Sequence, residues 1–185
     1  MTNRLEKHQC HSSTTLTMTI MALLCFWIGL PVRDADAQQM QQISFKTPSG
    51  DSKYTQQVNI EVGDLPNHII RIFEVHRIYP TNAPVINGLK LVEEWGRGAA
   101  DYMDGNGNAY VYDEYVMENG DKFFARSVFV TQRTSGIINA TQVGYITSGT
   151  GKLAGMHGII RVSVNFDPKT GFNEIETKIE YTPGK

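Results

Sequence analysis

The sequence contains almost no cysteine: Cys10 and Cys25 are the only two in 185 residues, and both lie near the N-terminus. If that stretch is removed, the remaining chain has no thiol, and this excludes a disulfide framework, a thiolate nucleophile and a cysteine metal site. Its stability must then come from a hydrophobic core. A chain of about 150 residues can build one, because it buries roughly 70% of its unfolded surface.

A basic block is also absent. The 17 Lys and Arg residues are interspersed with 19 Asp and Glu residues, and the formal net charge is −2. Phosphate backbones and anionic membranes attract clustered Lys and Arg, so we expect no nucleic-acid partner and no membrane surface partner. The sequence has no Walker loop, G-x-G-x-x-G, G-x-S-x-G or H-E-x-x-H motif, and therefore predicts no cofactor and no metal ion.

Helical periodicity of useful length is the third absence. From residue 57 onward, short alternating runs bounded by turn residues follow one another, which is typical of an all-β domain. Eight strands are predicted, at residues 57–62, 69–79, 89–103, 109–117, 122–131, 137–147, 158–166 and 172–181. Short turns such as Asn119-Gly120 favour an antiparallel up-and-down meander. Closure into an eight-stranded barrel would remove the exposed edges.

The first 37 residues have the order of a secretory signal peptide. Basic residues come first, an apolar run at 18–32 follows, and Ala35-Asp36-Ala37 forms a small-x-small cleavage site. We predict a signal peptide at 1–37, a flexible lead-in at 38–56 and a single β-barrel domain at 57–185. The mature protein is expected to be secreted, or periplasmic in a bacterium, without membrane contact. An uncleaved anchor stays open as an alternative, although the apolar run is shorter than the roughly 20 residues of a span.

Alternation assigns the faces of the last two predicted strands. Apolar and polar residues alternate in Ile160-Arg161-Val162-Ser163 and again in Ile175-Glu176-Thr177-Lys178. The pattern predicts a sheet with one buried face and one solvated face.

The predicted strand at 69–79 carries the candidate catalytic residues, Glu74 and His76. Its even positions place this carboxylate and this imidazole on one face with three isoleucines. If that face lines the barrel lumen, the pair lies in a water-poor pocket, where it is suited to proton transfer. If the odd face, which includes Val75, is the inner one, both side chains are solvated. The sequence leaves both interpretations open.

The predicted strand at 89–103 supplies a candidate substrate-binding residue, Trp95. Odd positions group it with Leu91 and Arg97 on one face. A tryptophan there is either a core residue or a platform for a ligand.

The hairpin that follows supplies three more candidates for substrate binding, Tyr112, Glu114 and Arg126. Tyr112 and Glu114 share a face of one strand, and Arg126 lies on its partner strand, so we expect a Glu114–Arg126 cross-strand pair. If these side chains point inward, Arg126 can hold a substrate carboxylate and Tyr112 can donate a hydrogen bond.

A glycine-rich segment joins two predicted strands: Gly149-Thr150-Gly151-Lys152-Leu153-Ala154-Gly155-Met156-His157-Gly158. A G-T-G-K-[apolar]-x-G-x-x-G loop in this position resembles the barrel family of allene oxide cyclases and dirigent proteins. Gly120-Asp121-Lys122 and Asp101-Tyr102 add to the resemblance, which covers about 94–181. It implies an eight-stranded barrel with an apolar cavity, often dimeric or trimeric, and in some members cofactor-independent cyclisation. The family's active-site residues do not map onto this chain, and the loop also has a structural explanation as a tight strand connection.

These observations predict a secreted barrel that binds a small, largely apolar or aromatic molecule in its lumen. By proton transfer it would act as a cofactor-independent lyase, isomerase or cyclase. Whether it is an enzyme stays open. The alternatives are a non-catalytic, lipocalin-like binding protein of the periplasm and a structural barrel whose lumen is filled by side chains. The resemblance also implies that the protein is a homo-oligomer, either a dimer or a trimer.

Overall fold

The computed structural model describes residues 39–47, 50–167, 169–170 and 173–184. These ranges contain ten strands and one short 3₁₀ turn at Gly151–Leu153. The strands are β1 (Gln41–Thr47), β2 (Ser52–Glu61), β3 (His68–Ile78), β4 (Val85–Ile86), β5 (Leu89–Met103), β6 (Asn106–Met117), β7 (Lys122–Thr134), β8 (Ile137–Gly149), β9 (His157–Phe166) and β10 (Asn173–Thr182). The predicted all-β class and antiparallel pairing are confirmed. The predicted signal peptide at 1–37 lies outside the described residues. Within them, no helix is long and apolar enough to cross a membrane.

The structure adds two strands to the eight that the sequence predicts. The predicted eight correspond to β2, β3 and β5 to β10. The first addition, β1, lies inside the segment predicted to be a flexible lead-in. There Ile43, Phe45 and Thr47 are less exposed than their neighbours, but the surrounding polar residues conceal this alternation in the sequence. The second addition, β4, has two residues and pairs only with β5.

The sheet is an antiparallel meander that is not closed into a barrel. Its order is β1-β10-β9-β8-β7-β6-β5-β3-β2, so β1 and β2 are its two edges. Eight antiparallel steps separate these edges, and β1 and β2 therefore run in the same direction. The four residues between them span at most about 18 Å. Closure would require β1 and β2 to pair in parallel, and parallel neighbours need a crossover connection of about a dozen residues or more, so four residues are too few.

Contacts across the open edges bring the two ends of the sheet together. The Phe45 ring on β1 packs edge-on against Tyr79, with 5.7 Å between the ring centroids. The Thr47 hydroxyl lies 3.4 Å from the Tyr79 hydroxyl, in a buried position.

One face of the sheet, the inner face, carries the main hydrophobic core. Its fully buried side chains are large: Ile86, Leu91, Tyr115, Met117, Phe123, Leu153, Ile160 and Ile179. The alternation predicted for the last two strands is confirmed, because Ile160, Val162, Ile175 and Thr177 are buried while Arg161 and Lys178 are exposed. The space that the sequence suggested as a lumen is occupied by this core cluster.

A β-bulge in β5 changes which of its residues face the core. The pairing with β6 shifts between Leu91 and Glu93, so the inward positions change from odd to even numbers. Leu91 is buried, but further along the strand it is Glu94 and Ala100 that are buried. The prediction that Leu91 and Trp95 share a face is therefore wrong, because one extra residue in a strand reverses its alternation.

The glycine-rich connection between β8 and β9 is held by the carboxylate of Asp121. The Lys152 backbone N–H donates to Asp121 Oδ2 at 2.9 Å. Gly151 has a φ of +51°, and a Cβ at this position would lie 2.0 Å from Asp121 Oδ1. Only glycine fits there, and this supports the structural explanation of the loop.

Candidate functional site

Strand β3 turns Glu74 and His76 away from the core. Val75 and Tyr79 are only 7% and 6% exposed, so the odd positions form the inner face. The even positions, with Glu74 and His76, belong to the outer face of the sheet. The interpretation in which this pair lines a lumen is corrected accordingly, because the apolar side chains of the odd positions are the ones that pack against the core.

Glu74 forms an ion pair on this outer face. Arg97 Nε donates to one carboxylate oxygen at 2.7 Å, and the Thr55 hydroxyl donates to the other at 2.7 Å. The hydrogen bond from Thr55, followed by that from Arg97, lowers the pKa of Glu74 below its ordinary value. Glu74 is therefore held in its charged form, which suits orientation of Arg97 better than proton exchange.

His76 and Trp95 form a stacked pair beside Glu74. Their rings are 3.9 Å apart and inclined by 13°. The other neighbour of His76 is Glu93, whose Oε2 lies 3.4 Å from His76 Nε2 and accepts a hydrogen bond from Trp95 Nε1 at 3.1 Å. His76 Nε2 is buried and makes no hydrogen bond among the described residues. Trp95 is thus a half-buried stacking partner on the outer face, not a core residue.

Arg97 connects the candidate residues to one another. Its guanidinium lies 5.4 Å from the Trp95 ring centroid, and Nη1 donates to Glu114 at 3.2 Å. Glu114 also accepts a hydrogen bond from Lys122 at 2.5 Å, and this bond is the main reason why the pKa of Glu114 is lowered. The expected Glu114–Arg126 pair does not form, because the strand register places Arg126 opposite Tyr112.

Arg126 has aromatic partners in place of acidic ones. Its Nη2 donates to the Tyr112 hydroxyl at 2.8 Å, and the guanidinium lies 4.9 Å from the centroid of the same ring. In the described part of the chain, no carboxylate lies within 4.0 Å of Arg126. Its positive charge is therefore not neutralised by the protein residues that the structure describes.

A groove on the outer face, here called the outer groove, runs beside Arg126. Its volume is about 1110 Å³. The apolar part of its lining includes Ile72, Tyr110, Val128, Val143 and Ile159, and the polar part includes Arg97, Tyr112, Arg126 and Tyr145. A smaller hollow of about 530 Å³ shares these four polar residues and adds Glu114. The arrangement offers an apolar surface with a cation at one side.

The structure brings all six candidate residues onto one face but gives them different positions. Tyr112 and Arg126 line the outer groove, and Glu114 lines the adjoining hollow. Glu74, His76 and Trp95 lie beside it and are linked to it through Arg97. The sequence interpretation did not select Arg97 or Tyr145 for this site. Alternation could have indicated both residues. Arg97 lies opposite the exposed Tyr112 on the adjacent strand. Tyr145 lies two residues after the exposed Val143 on its own strand, and therefore on the same face.

A second polar group lies on the inner face and was also missed. Glu94 accepts hydrogen bonds from Arg77 Nη1 at 2.5 Å and from the Tyr79 hydroxyl at 2.6 Å. Burial raises the pKa of Tyr79 well above its ordinary value. Burial alone would lower the pKa of Arg77, but the charge of Glu94 raises it. The two side chains therefore stay protonated and satisfy a buried carboxylate.

Asp113 belongs to the same inner group. We call this group the inner polar cluster; its members are Arg77, Tyr79, Glu94, Asp113, Ser127 and Gln142. Asp113 Oδ2 accepts hydrogen bonds from Ser127 at 2.9 Å and from Gln142 at 2.8 Å. Burial, together with the negative charge of Glu94, raises the pKa of Asp113 to about 7. The sequence signal was a charged residue within the apolar alternation Ala109-x-Val111-x-Asp113-x-Tyr115.

Comparison with known proteins identifies no relative of this chain. No family model matches the chain, and no curated protein and no solved structure is significantly similar to it. Among the described residues, no group of three or more His, Cys, Asp or Glu side chains has an arrangement that could hold a metal ion.

Proposed function

We propose that this protein is a binding protein for a small, largely apolar carboxylate, which it holds in the outer groove. The observation that carries the proposal is Arg126, a guanidinium beside an apolar groove with no carboxylate partner in the described part of the chain. Guanidinium groups bind carboxylates through two parallel hydrogen bonds. Arg97 does not compete for such a ligand, because Glu74 and Glu114 already neutralise it.

The exposed apolar lining supports the rest of the ligand's chemistry. Tyr110 is 64% exposed, and Tyr112 and Tyr145 are each 54% exposed, on β6 and β8, the two strands that flank β7 in the sheet. Half-exposed tyrosines present on the order of 100 Å² each, so three of them already approach the size of a functional patch. A ligand with an apolar body would remove this surface from water, and its carboxylate would receive hydrogen bonds from Arg126 and from the nearby tyrosine hydroxyls.

The test compares three probes with the same tail and different head groups: decanoate, decanol and decylamine. Titration calorimetry should give the tightest binding for decanoate, weaker binding for decanol and the weakest for decylammonium. A charge-assisted hydrogen bond contributes about 1.5 to 3 kcal/mol, so decanoate should bind at least about tenfold more tightly than decanol. Binding of none of the three probes would contradict the proposal.

Substitution of Arg126 distinguishes the contribution of its charge to ligand binding from the contribution of the apolar groove. Arg126→Gln should weaken decanoate binding at least about tenfold and leave decanol binding unchanged. The matched control is Arg161→Gln on β9, where the arginine pairs with Glu180 and lies outside the groove lining. Equal losses in the two variants would show that only the net charge of the protein matters.

A second candidate function is proton-transfer catalysis by a cofactor-independent lyase or isomerase. The observation that favours it is Asp113, whose pKa is raised to about 7 next to the charged Glu94. A carboxyl group that gains and loses its proton near neutral pH is suited to general acid–base work. Glu74 and His76, the candidates from sequence, remain proposed as residues that orient Arg97 and Trp95. Turnover of a bound carboxylate that Asp113→Asn abolishes would favour this candidate.

Secretion and the resemblance to allene oxide cyclases and dirigent proteins remain proposals. The signal-like order of residues 1–37 supports export. The glycine-rich connection and the antiparallel meander support the resemblance, while the family's closed barrel differs from the open edges of this sheet. N-terminal sequencing of the exported protein tests the first proposal, since cleavage after Ala37 would leave Gln38 as the first residue.

A further inference from the structure

The outer groove crosses the strands of the sheet and does not follow any one of them. Four neighbouring strands, β5 to β8, each contribute three consecutive residues to its lining: 97–99, 110–112, 126–128 and 143–145. The strands on either side of these four, β3 and β9, contribute Ile72 and Ile159 at the two ends. Because neighbouring strands lie about 4.8 Å apart, the groove is about 24 Å long from β3 to β9. This length is suited to a linear ligand.

The groove is also narrow. In each set of three residues, the first and the third have their side chains on the outer face and form two walls. The middle residue belongs to the inner face and contributes its backbone to the floor; Val111 and Ser127, for example, are only 7% and 6% exposed. The two wall residues of one strand lie about 7 Å apart. A chain midway between them would lie about 3.5 Å from each wall, which is the contact distance of carbon atoms. The groove therefore admits a single extended chain and excludes a bulky ring system.

One of the two walls is apolar, and its extent gives a bound chain a direction. Its residues lie opposite one another in register on β3, β5, β6, β7 and β8: Ile72, Ala99, Tyr110, Val128 and Val143. Beyond Val143 the same row continues with two cations, Arg161 on β9 and Lys178 on β10. From Arg126 on β7, the apolar wall thus extends over three further strands toward β3 but over only one toward β9. An apolar chain that begins at Arg126 is therefore better covered on the side of β3.

We propose that the outer groove selects an unbranched carboxylate of about 12 carbon atoms, with its carboxylate at Arg126 and its terminal methyl group at Ile72. Three strand spacings separate β7 from β3, or about 14 Å, and an extended chain advances about 1.25 Å per methylene, so about eleven carbon atoms follow the carboxyl carbon. The next residue of the row, Val58 on β2, lies opposite Ile72 but does not line the groove. A longer chain therefore gains little. This inference rests on the proposed binding of a carboxylate at Arg126 and adds the length, the shape and the direction of the ligand.

The first experiment measures chain length by titration calorimetry with octanoate, decanoate, dodecanoate, tetradecanoate and hexadecanoate, each below the concentration at which it forms micelles. Affinity should rise about two- to fourfold per methylene up to dodecanoate, because each methylene leaves water, and by less than about threefold in total from dodecanoate to hexadecanoate. An undiminished rise to hexadecanoate, or a rise that ends at octanoate, would overturn the proposed length. If decanoate binds no more tightly than decanol, the proposed function fails and this inference with it. If decanoate binds more tightly than decanol but chain length has no effect, only this inference fails.

A second comparison tests the shape of the ligand. Undecanoate and 1-adamantanecarboxylate have the same carboxylate and the same number of carbon atoms, but one is a chain and the other a compact cage. Undecanoate should bind at least about tenfold more tightly, because only the chain can place its methylene groups between the two walls. Equal affinities would show that the groove accepts any apolar body and would overturn the proposed shape.

Substitutions at the two ends of the groove test the direction. Ile72→Gln should reduce the ratio of dodecanoate affinity to octanoate affinity at least about threefold, because only the longer chain reaches β3. Ile159→Gln, at the β9 end, should reduce this ratio less. The matched control is Val130→Gln on β7, since Val130 is 57% exposed and lies outside the groove lining, and it should leave the ratio unchanged. Octanoate binding by each variant shows that the variant is folded. A larger reduction in Ile159→Gln than in Ile72→Gln, or equal reductions in Ile72→Gln and Val130→Gln, would overturn the proposed direction.

Discussion

Asp113 shows how a single buried carboxyl group can make the stability of this protein depend on pH. Its pKa is raised from 3.8 to about 7, mainly by burial, so the folded protein retains a proton that the unfolded chain has lost. The stabilisation linked to this proton is complete below about pH 4 and is lost as the pH rises through 7. Between these values, the free energy of unfolding should fall by at most about 1.4 kcal/mol per pH unit because of this group.

Asp113→Asn should remove that slope, because the amide does not ionise. Urea unfolding between about pH 5 and 7 should then show a flatter dependence in the variant than in the unchanged protein. His68, whose pKa is raised by hydrogen bonds to Asp101 and Asp64, adds a slope of the same sign near pH 7, and it does so in both proteins.

The control for this measurement is Asp121→Asn. It removes the same charge at an exposed carboxylate whose pKa is lowered, so that carboxylate stays ionised throughout the window in both the folded and unfolded states. Parallel pH profiles for Asp113→Asn and the unchanged protein would contradict the prediction.

At the same scale, the sequence indicated some site residues and concealed others. Tyr112 and Arg126 were selected because a tyrosine hydroxyl and a guanidinium on the two strands of a hairpin can orient a substrate, and they do line the outer groove. The buried cluster around Asp113 was missed, because the candidates on β6 came from the face of Tyr112 and Glu114, and Asp113 lies on the opposite face. A carboxylate is buried only when partners from other strands satisfy it, and Gln142 on β8 is 29 residues away in sequence.

At the scale of the element, the bulge in β5 decides which side chains reach the site. Without the register shift between Leu91 and Glu93, Trp95 would face the core and Glu94 would face solvent. Local sequence does not mark this bulge, because it depends on the pairing of β5 with β6. The prediction of β5 itself, at 89–103, agreed with the structure to the residue, whereas the prediction of its faces failed beyond the bulge.

Strand β5 also carries two glycines on its inner face whose environments differ. A Cβ on Gly98 would lie 2.6 Å from the Phe73 ring and 2.7 Å from the Tyr110 carbonyl oxygen. On Gly96 the nearest atom would be Asp113 Oδ1 at 3.3 Å. Gly98→Ala should therefore cost about 2 kcal/mol or more through overpacking against backbone, and Gly96→Ala should cost less than about 1 kcal/mol.

Urea unfolding of the two alanine variants measures this difference in the free energy of unfolding. Both variants replace glycine by alanine in the same strand, so the change in β-propensity is the same in each and cancels in the comparison. A Gly96→Ala variant that is as unstable as Gly98→Ala would contradict the close approach of β5 to β3 and β6 at Gly98.

At the scale of the whole molecule, the sequence predicted the meander, because turn residues and alternation are local signals. It did not predict how the ends of the sheet meet. The pairing of β1 with β10 joins residues 128 to 140 positions apart, from Thr47 with Ile175 to Gln41 with Tyr181. No local pattern encodes such a partner, and the preference for closed sheets suggested a barrel where the structure has two edges.

The contact between Phe45 and Tyr79 gives a test of how far these edges depend on each other. Phe45 belongs to β1, and Tyr79 follows β3, the partner of β2. If this contact holds the two ends of the sheet together, Phe45→Ala should increase hydrogen exchange at both β1 and β2. The half-buried ring should contribute about 2 kcal/mol to the free energy of unfolding.

Phe129→Ala is the matched control, because this ring is also half-buried and packs in the separate cluster with Ala100, Ala109 and Val111. It should lower stability by a similar amount and leave the exchange of β1 and β2 close to that of the unchanged protein. If Phe45→Ala increases exchange only in β1, the edges open independently. Joint exposure of β1 and β2 would show instead that the open sheet unfolds from its edges as one unit, since the ring joins β1 to Tyr79 at the end of β3, the strand that pairs with β2.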